Sequence, residues 1–321
     1  MNSAAELFFD NLKSNLNTVV FGMENAIHSI ALAVVTRGHI LLEGAPGLGK
    51  TLLAKSVARQ LRGEFRRIQC TADMMPSDLT GIHVYNQEAN QFSLLKGPLF
   101  ADVVLVDEIN RTGPKTQSAL LQAMEENAIT LDRQTYSLPD NFFVIASQNP
   151  HDYEGTYPLL ESQLDRFLIK QEIDYHSADV EKQILKTYAN VGGGHAHTVD
   201  AVMELDTGLL EAARSQTAKV HVAEVLFDYV VEIGVRSRNN SLISLGLSSR
   251  GVLAILRCAK VEAAMRGGEF VTPDDVKRIA AQVAAHRLVL TPEATLEGYS
   301  QRDVFRTIME EVAVPRESAA D

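Results

Sequence analysis

One glycine-rich turn constrains the fold most, because it stands between an apolar run and an amphipathic one. GHILLE (38–43) is predicted to be a buried strand, and KTLLAKSVARQL (50–61) is predicted to be a helix. The turn between them, GAPGLGKT (44–51), matches the pattern G-x-x-x-x-G-K-[ST]. Its glycines let several backbone N–H groups face one anion, and the helix N-terminus adds partial positive charge. The pattern therefore predicts a phosphate-binding loop, in which Lys50 reaches the outer phosphates and Thr51 holds Mg²⁺.

Further apolar runs alternate with helical patterns through the first half of the chain. They are the predicted strands FRRIQC (65–70), VVLVDE (103–108), FFVIASQN (142–149) and FLIKQEI (167–173), and the predicted helix PKTQSALLQAMEEN (114–127). Near-continuous apolar strands separated by helices are typical of a parallel sheet that is covered on both faces. Residues 81–95 and 128–138 alternate apolar and polar positions instead, which predicts two hairpin insertions.

After about residue 174 the strand signal fades and helical patterns follow one another. The predicted helices span 177–190, 224–238, 248–266 and 272–288. VGGGHAH (191–197) is interpreted as a flexible break, with a metal site at its two histidines as the weaker alternative. We therefore expect an α/β core over residues 1–174 and an all-α domain over residues 175–321.

Composition and charge bear on the class of function. The 321 residues carry a net charge of −11, whereas nucleic-acid binders usually show a basic patch. No run of 18 apolar residues occurs, so no membrane span is expected. The N-terminus lacks the basic and apolar regions of a secretory signal, and we expect a cytoplasmic protein. Cys70 and Cys258 lack CxxC spacing and are interpreted as buried or incidental thiols.

Polar side chains stand where two of the predicted strands end. Asp107 and Glu108 close VVLVDE, and Asn149 closes FFVIASQN. Because ligands of parallel sheets bind at the carboxyl ends of the strands, we expect these side chains beside the phosphate loop. Asp107 suits the hydration shell of Mg²⁺, and Glu108 suits the polarisation of an attacking water. Asn149 could hold that water or the γ-phosphate, although a simple turn before Pro150 is the alternative.

Together these motifs resemble the MoxR branch of the AAA+ ATPases. The resemblance is carried by residues 20–27, 38–51, 75–81, 97–126, 145–150 and 161–167, and more loosely by GLSSRGVLAILRCAKVEAAMRG (246–267). It implies an α/β P-loop NTPase core with a parallel sheet, a helix-2-insert hairpin and a pre-sensor-1 hairpin, followed by an α-helical lid domain. It also implies ATP and Mg²⁺ as cofactors, and a homo-oligomeric, hexameric ring with ATP at the subunit boundaries.

The resemblance further implies roles for individual residues. Those matched to nucleotide binding are Phe21, Gly22, Gly44, Ala45, Pro46, Gly47, Leu48, Gly49, Lys50, Thr51, Leu52 and Asp107, of which Thr51 and Asp107 would hold Mg²⁺ through water. Those matched to catalysis are Glu108, Asn149, Arg166 and Arg250. Arg250 also stands in the first turn of its predicted helix, where a cation opposes the macrodipole, so a bound anion is expected there. Ser249 stands where the family more often has proline.

Two further arginines have competing interpretations. Arg166 stands at the mouth of the last predicted strand, in LESQLDRFLI (160–169). It could pair with Asp165, or it could reach the γ-phosphate of a neighbouring subunit, and we favour the second. Arg111 could face the neighbour or brace the turn after Glu108, and both interpretations stay open.

For the function, the resemblance implies ATP-driven, chaperone-like remodelling or maturation of partner proteins, often with a von Willebrand factor A-domain partner. A magnesium-chelatase-type motor subunit or a nucleic-acid motor of the same clade is the alternative. The tip of the first hairpin, NQEAN, carries one acid and no base, and Arg133 stands beside Asp132 in the second. These tips favour a protein client over nucleic acid. A nucleotide-gated scaffold without catalysis is disfavoured because Glu108 and Asn149 are both present.

Overall fold

A parallel sheet forms the centre of the first half of the chain. The computed structural model describes residues 3–88, 90–150, 155–189 and 199–315. The strands of the sheet are β1 (Ile40–Glu43), β2 (Phe65–Gln69), β5 (Val103–Asp107), β8 (Phe143–Gln148) and β9 (Ile169–Glu172). They lie in the order β2–β5–β8–β1–β9. The predicted parallel sheet is thus confirmed, and its strand bounds agree with the prediction to within two residues.

Apolar burial on both faces explains why these strands are so uniform. The four apolar residues of β5 are at most 1% exposed, as expected for a strand covered by helices on both sides. The helices of the first half are α1 (Ala4–Leu16), α2 (Glu24–Val35), α3 (Lys50–Gln60), α4 (Pro76–Thr80), α5 (Pro114–Glu126) and α6 (Glu161–Leu164). The sequence patterns predicted α3 and α5 but gave no helix at α1 or α2.

Both predicted hairpins are present. The first pairs β3 (Gly81–Asn86) with β4 (Gln91–Lys96), and the second pairs β6 (Ala128–Leu131) with β7 (Gln134–Ser137). One histidine of the first hairpin bonds to the second: the ring nitrogens of His83 lie 2.8 Å from Asp132 Oδ2 and 3.0 Å from Tyr136 Oη. The two insertions therefore contact each other.

The helical character of the second half is confirmed, with one departure. Its helices are α7 (Ala178–Tyr188), α8 (Leu209–Lys219), α9 (Glu224–Asn239), α10 (Ser249–Met265), α11 (Pro273–Ala284), α12 (Pro292–Leu296) and α13 (Gln301–Glu311). Side chains of Ser177, Ser248 and Thr272 cap α7, α10 and α11. The departure is an antiparallel pair, β10 (Ile243–Leu245) with β11 (Val289–Leu290). Runs of two or three residues are too short to show a period of two, which is why the sequence did not reveal them. The predicted break at 191–197 lies outside the described residues.

The N-terminal helix joins the two halves. Phe8, Leu12 and Leu16 recur at four-residue spacing on α1 and are fully buried, which places them on one helix face. That face packs against α8 and α10 of the second half. A single apolar cluster consequently extends from α1 and α2 to α10 and α11. Within the described part of the chain, no helix is long and apolar enough to cross a membrane.

Candidate functional site

The loop between β1 and α3 is shaped by glycines. Gly47 and Gly49 have φ of +85° and +83°, a left-handed conformation that costs little only for glycine. Gly44 lies against the residue that follows β9, and an added Cβ would stand 2.5 Å from the Ile173 carbonyl oxygen. Because α3 begins at Lys50, directly after Gly49, its first backbone N–H groups face the loop. The turn is thus built as an anion cradle.

Lys50 adds a positive charge over this cradle. Its Nζ donates to the carbonyl oxygens of Gly44 at 2.6 Å and Ala45 at 3.3 Å. The side chain is buried, and burial lowers the pKa of Lys50, opposed by the negative charges of Asp107 and Glu108. An ammonium that is held this way, with little water around it, attracts phosphate strongly.

Asp107 ends β5 and is held from two sides. The Ser147 hydroxyl, on the adjacent strand β8, donates to Asp107 Oδ1 at 2.5 Å, and Arg67 Nη2 donates to Oδ2 at 2.7 Å. The backbone N–H of Glu108 in turn donates to Ser147 Oγ at 3.0 Å. This chain of hydrogen bonds fixes the end of β5 to β8.

Glu108 adopts an unusual backbone conformation. Its φ is +58°, which is uncommon for a residue with a side chain and is found more often where function demands a particular placement. Gln69 Nε2 donates to Glu108 Oε2 at 3.2 Å, and Arg111 Nε lies 3.0 Å from the same oxygen. Within one subunit Arg111 thus braces the turn after Glu108, and its contact with a neighbouring subunit stays a prediction.

A cavity of about 530 Å³ brings most of the predicted residues together. The predicted residues that line it are Phe21, Pro46, Gly47, Leu48, Gly49, Lys50, Thr51, Leu52, Asp107, Glu108 and Asn149. Gly44 and Ala45 contribute the carbonyls that hold Lys50. Gly22 lines a smaller adjoining cavity of about 260 Å³. The main cavity has the size expected of a nucleotide site, and Lys50, Asp107 and Glu108 give it charged groups on one wall.

The donor set fits Mg²⁺ that is held mainly by phosphate and water. Thr51 and Asp107 supply a hydroxyl and a carboxylate on the cavity wall. Among the described residues no three His, Cys, Asp or Glu side chains come together as a metal site. A cation here would complete its shell with phosphate oxygens and waters, as Mg²⁺ usually does.

Several cavity residues escaped the sequence analysis. Arg67 and Gln69 of β2 line the wall, and their spacing of two on a strand that ends at the site was the signal that could have found them. Ile184 and Tyr188, four residues apart on α7, also line it. The Tyr188 hydroxyl donates to the Val19 carbonyl at 2.5 Å. The second half of the chain thus closes the cavity beside Phe21.

Arg166 and Arg250 lie elsewhere, and they lie together. Arg166 Nε is 2.9 Å from Glu125 Oε2, and Arg250 Nη2 is 3.0 Å from Glu125 Oε1. The hydrogen bond from Arg166, helped by the charge of Arg250, lowers the pKa of Glu125. Neither arginine lines the cavity. We call this group of three side chains the arginine corner.

The expected alternative for Arg166, a local pair with Asp165, is not what the structure has. Asp165 Oδ1 accepts from Arg287 Nε at 2.6 Å. Arg250 is not brought to the cavity of its own chain, in contrast to the simplest expectation for a residue that contacts ATP. The corner instead presents two guanidinium groups and one carboxylate on an outer surface.

Family models match both halves of the chain. Residues 39–169 match the ATPase family associated with various cellular activities (AAA), and residues 235–308 match the AAA lid domain. A protein of Cytophaga hutchinsonii to which ATPase function is ascribed has a similar crystal structure. Its TM-score is 0.88 at 35% identity, with 98% of this chain and 97% of that one covered.

Relatives along the whole chain agree. The protein YeaC of Bacillus subtilis is 40% identical over 95% of this chain and 94% of its own length. The chaperone MoxR1 of Mycobacterium tuberculosis is 35% identical over 94% of this chain and 81% of its own length. The MoxR protein of Methylorubrum extorquens is 29% identical over 92% of both. The chain therefore belongs to the MoxR family of AAA+ ATPases, and it is an ATPase that binds ATP and converts ATP and water to ADP and phosphate.

Proposed function

We propose that this ATPase works as a ring-shaped homo-oligomer, hexameric as the family resemblance implies, in which hydrolysis takes place at the boundaries between subunits. The observation that carries the proposal is the separation of the arginine corner from the cavity. A cation placed at the γ-phosphate, in addition to Lys50 and Mg²⁺, speeds phosphoryl transfer, and an arginine from a second subunit would supply it. Arg166 and Arg250 are paired with an exposed carboxylate instead of lining their own cavity.

Within one subunit, the cavity residues divide the work of hydrolysis. The loop N–H groups and Lys50 hold the phosphates, while Thr51 and Asp107 would orient the water shell of Mg²⁺. These two residues would hold Mg²⁺ through water, and the ion would supply positive charge against the phosphates. Glu108 polarises the attacking water, and Asn149 positions it. The bond from Gln69 and the pair with Arg111 set the direction of the Glu108 carboxylate.

Between subunits, Arg166 would approach the γ-phosphate of the neighbour, and Arg250 would approach beside it. An arginine supplied in this way stabilises charge in the transition state and typically raises turnover by about 10³–10⁵-fold. Leaving Glu125 costs little, because exposed ion pairs contribute about 0–1 kcal/mol. A triphosphate carries more negative charge than the single Glu125 carboxylate, so both guanidinium groups would bind it in preference to Glu125.

We further propose that the motor remodels or matures partner proteins, with a von Willebrand factor A-domain protein as an associated partner. The name of the relative MoxR1, a chaperone, supports the first part. The first hairpin supports a protein client as well, since Phe92 and Leu95 are 70% and 64% exposed. Exposed apolar side chains suit contacts with proteins, whereas a nucleic-acid motor would need lysine or arginine side chains there to contact phosphates.

The catalytic assignment is tested with Glu108→Gln, which keeps the size of the side chain and removes its charge. We expect the variant to bind ATP as tightly as the parent and to lose at least about 100-fold in turnover. Glu126→Gln is the matched control, because Glu126 accepts a bond from Gln122 on the surface of α5. Undiminished turnover in Glu108→Gln would overturn the assignment.

The boundary site is tested by mixing subunits. Arg166→Ala should bind ATP and fail to hydrolyse it. A mixture with Glu108→Gln should regain part of the activity, because an intact cavity then meets an intact arginine at some boundaries. Absence of any regain, with mixed rings shown to form, would return Arg166 to a structural role. The Glu108→Gln trap, used as bait in native cells, would identify the client.

A further inference from the structure

Arg287 is a buried arginine that the ATPase mechanism leaves unused. It ends the 3₁₀ turn Ala285–Arg287, which follows α11, and it is 6% exposed. Besides its pair with Asp165, its guanidinium donates to the carbonyl oxygens of Phe167 at 2.8 Å and Leu168 at 3.1 Å. It also bonds the carbonyls of Asp165, at 3.4 Å, and Val283. One lid side chain therefore holds the backbone on both sides of Arg166.

A second lid residue supports the same segment. His286 Nε2 lies 3.1 Å from the Phe167 carbonyl oxygen. Burial lowers the pKa of His286 well below its ordinary value, with the charge of Arg287 acting in the same direction. A neutral imidazole that donates from Nε2 satisfies this carbonyl. The carbonyl of Phe167, the residue after Arg166, is thus held by two neighbouring residues of the lid.

Arg287 also contacts the segment that carries Arg250. A Cβ added to Gly251, the residue after Arg250, would lie 3.1 Å from Arg287 Cδ. The first turn of α10 therefore rests directly on the Arg287 side chain. Through one buried group, the backbone beside Arg166 and the backbone beside Arg250 are held at a fixed distance from each other.

Global stability alone is a weak reason to bury this charge. Removing a guanidinium from water has a cost that a single ion pair only roughly offsets. The planar fork of arginine, however, can hold a carboxylate and several carbonyls in one geometry, which lysine cannot do. Such a guanidinium group fixes the position of the backbone groups that it bonds, and it adds little to the free energy of unfolding.

We propose that Arg287 is the positioning residue of the arginine corner: it ties Arg166 and Arg250 to the lid as one unit that is presented to the neighbouring subunit. The proposal rests on the proposed role of Arg166 at that boundary. Lid movement would then carry both guanidinium groups together. An error of about 1 Å in the position of a catalytic group lowers turnover by about 100-fold.

Two variants test the proposal, and a third serves as their control. Arg287→Lys keeps the charge and loses the fork, while Asp165→Asn keeps the shape and removes the anchoring charge. Arg257→Lys changes a lid arginine whose Nη2 donates to the Thr36 carbonyl at 2.7 Å, a contact outside the 165–168 segment. We expect turnover to fall about 10- to 100-fold in the first two, with ATP affinity changed less than about twofold. The control should keep its turnover.

Subunit mixing distinguishes two causes of low turnover, a misplaced Arg166 and a generally damaged subunit. An Arg287→Lys subunit should place its own Arg166 poorly against the neighbour, while its nucleotide cavity stays intact. A mixture with Glu108→Gln subunits, whose Arg166 is placed correctly, should therefore regain activity. A mixture with Arg166→Ala should regain no activity, because neither kind of subunit then supplies a correctly placed Arg166 to its neighbour. Loss of ATP binding in parallel with turnover, or regain with Arg166→Ala, would overturn the positioning role. Asp165→Asn gives the same readouts if Arg287→Lys does not fold.

The outcomes distinguish this proposal from the one on which it rests. Full activity of Arg287→Lys and Asp165→Asn beside an inactive Arg166→Ala would overturn the positioning role only. Full activity of Arg166→Ala would overturn the boundary arginine itself, and the positioning role with it.

Discussion

The nucleotide cavity and the arginine corner are both built from arginines and carboxylates, yet their balance of charge differs. Asp107 and Glu108 line the cavity and pair with Arg67 and Arg111, and buried Lys50 adds its charge on the cavity wall. In the corner, two arginines share one carboxylate, and all three side chains are at least 32% exposed. The cavity can bind and polarise a ligand by itself. The corner has a surplus cation on an open surface, which suits an anion supplied by another molecule.

The largest effect on ATP binding is expected from replacing the cation of the cavity, in comparison with a cation of the arginine corner. Lys50→Ala should weaken ATP binding by about 100-fold or more, because it removes the buried cation over the phosphate loop. Arg250→Ala should leave binding within about twofold and lower turnover, because Arg250 lies outside the cavity. Titration with a fluorescent ATP analogue measures the affinity of both variants. Comparable loss of binding in the two variants would mean that Arg250 reaches its own cavity after all.

A buried histidine between β8 and α5 makes stability depend on pH. His39 Nδ1 accepts from the Val144 N–H at 3.0 Å, and Nε2 lies 3.1 Å from the Met124 carbonyl oxygen. Burial lowers the pKa of His39 to about 4. Because the unfolded chain takes up the proton first, stability is lost as pH falls below about 6.5, by about 2 kcal/mol at pH 5.

Urea unfolding at pH 7.5 and pH 5 measures this loss of stability. The low pKa of buried His286 acts in the same direction. His39→Gln should therefore reduce the pH dependence of the unfolding free energy without abolishing it. An unchanged dependence in this variant would show that His39 does not titrate as the structure implies.

A smaller effect is expected at the Asp107–Arg67 pair. Arg67→Gln removes a cation that competes for the Asp107 carboxylate, so the Mg²⁺ concentration for half-maximal activity should fall by about fivefold. Arg66→Gln is the control, since Arg66 pairs with Glu64 on the solvent side of the same strand. A loss of ATP affinity in Arg67→Gln would instead make Arg67 a phosphate ligand, and the cavity would then have an arginine of its own.

The smallest effect is expected at the carboxylate of the corner. Glu125→Gln weakens the hold on both arginines, so turnover should rise by no more than about threefold, as is usual for exposed pairs. Raising the salt concentration should reduce the difference from the parent, because salt screens the pairs that were removed. A large loss of turnover would show that Glu125 positions the arginines instead of restraining them.

Local patterns made much of the fold and the cavity predictable from the sequence. The phosphate loop is contiguous, and its glycines, lysine and following helix are read directly from residues 44–61. The ends of β5 and β8 were marked by polar residues after apolar runs. Arg67 and Gln69 were missed because β2 is an edge strand, on which exposed polar residues are ordinary. The pair β10–β11 was missed because its strands are too short to show a period.

The arginine corner could not have been derived from local patterns at all. Its three side chains, Glu125, Arg166 and Arg250, come from distant parts of the chain, as does Arg287, and only packing brings them together. The sequence by itself determined the chemistry of the cavity, because the residues of a helix entry and of strand ends are set by neighbours in the chain. The tertiary structure decided which arginines meet, and that Arg166 pairs with Glu125 while Asp165 pairs with Arg287. The physical reason is that ion pairs are chosen by distance in space, which spacing along the chain does not encode.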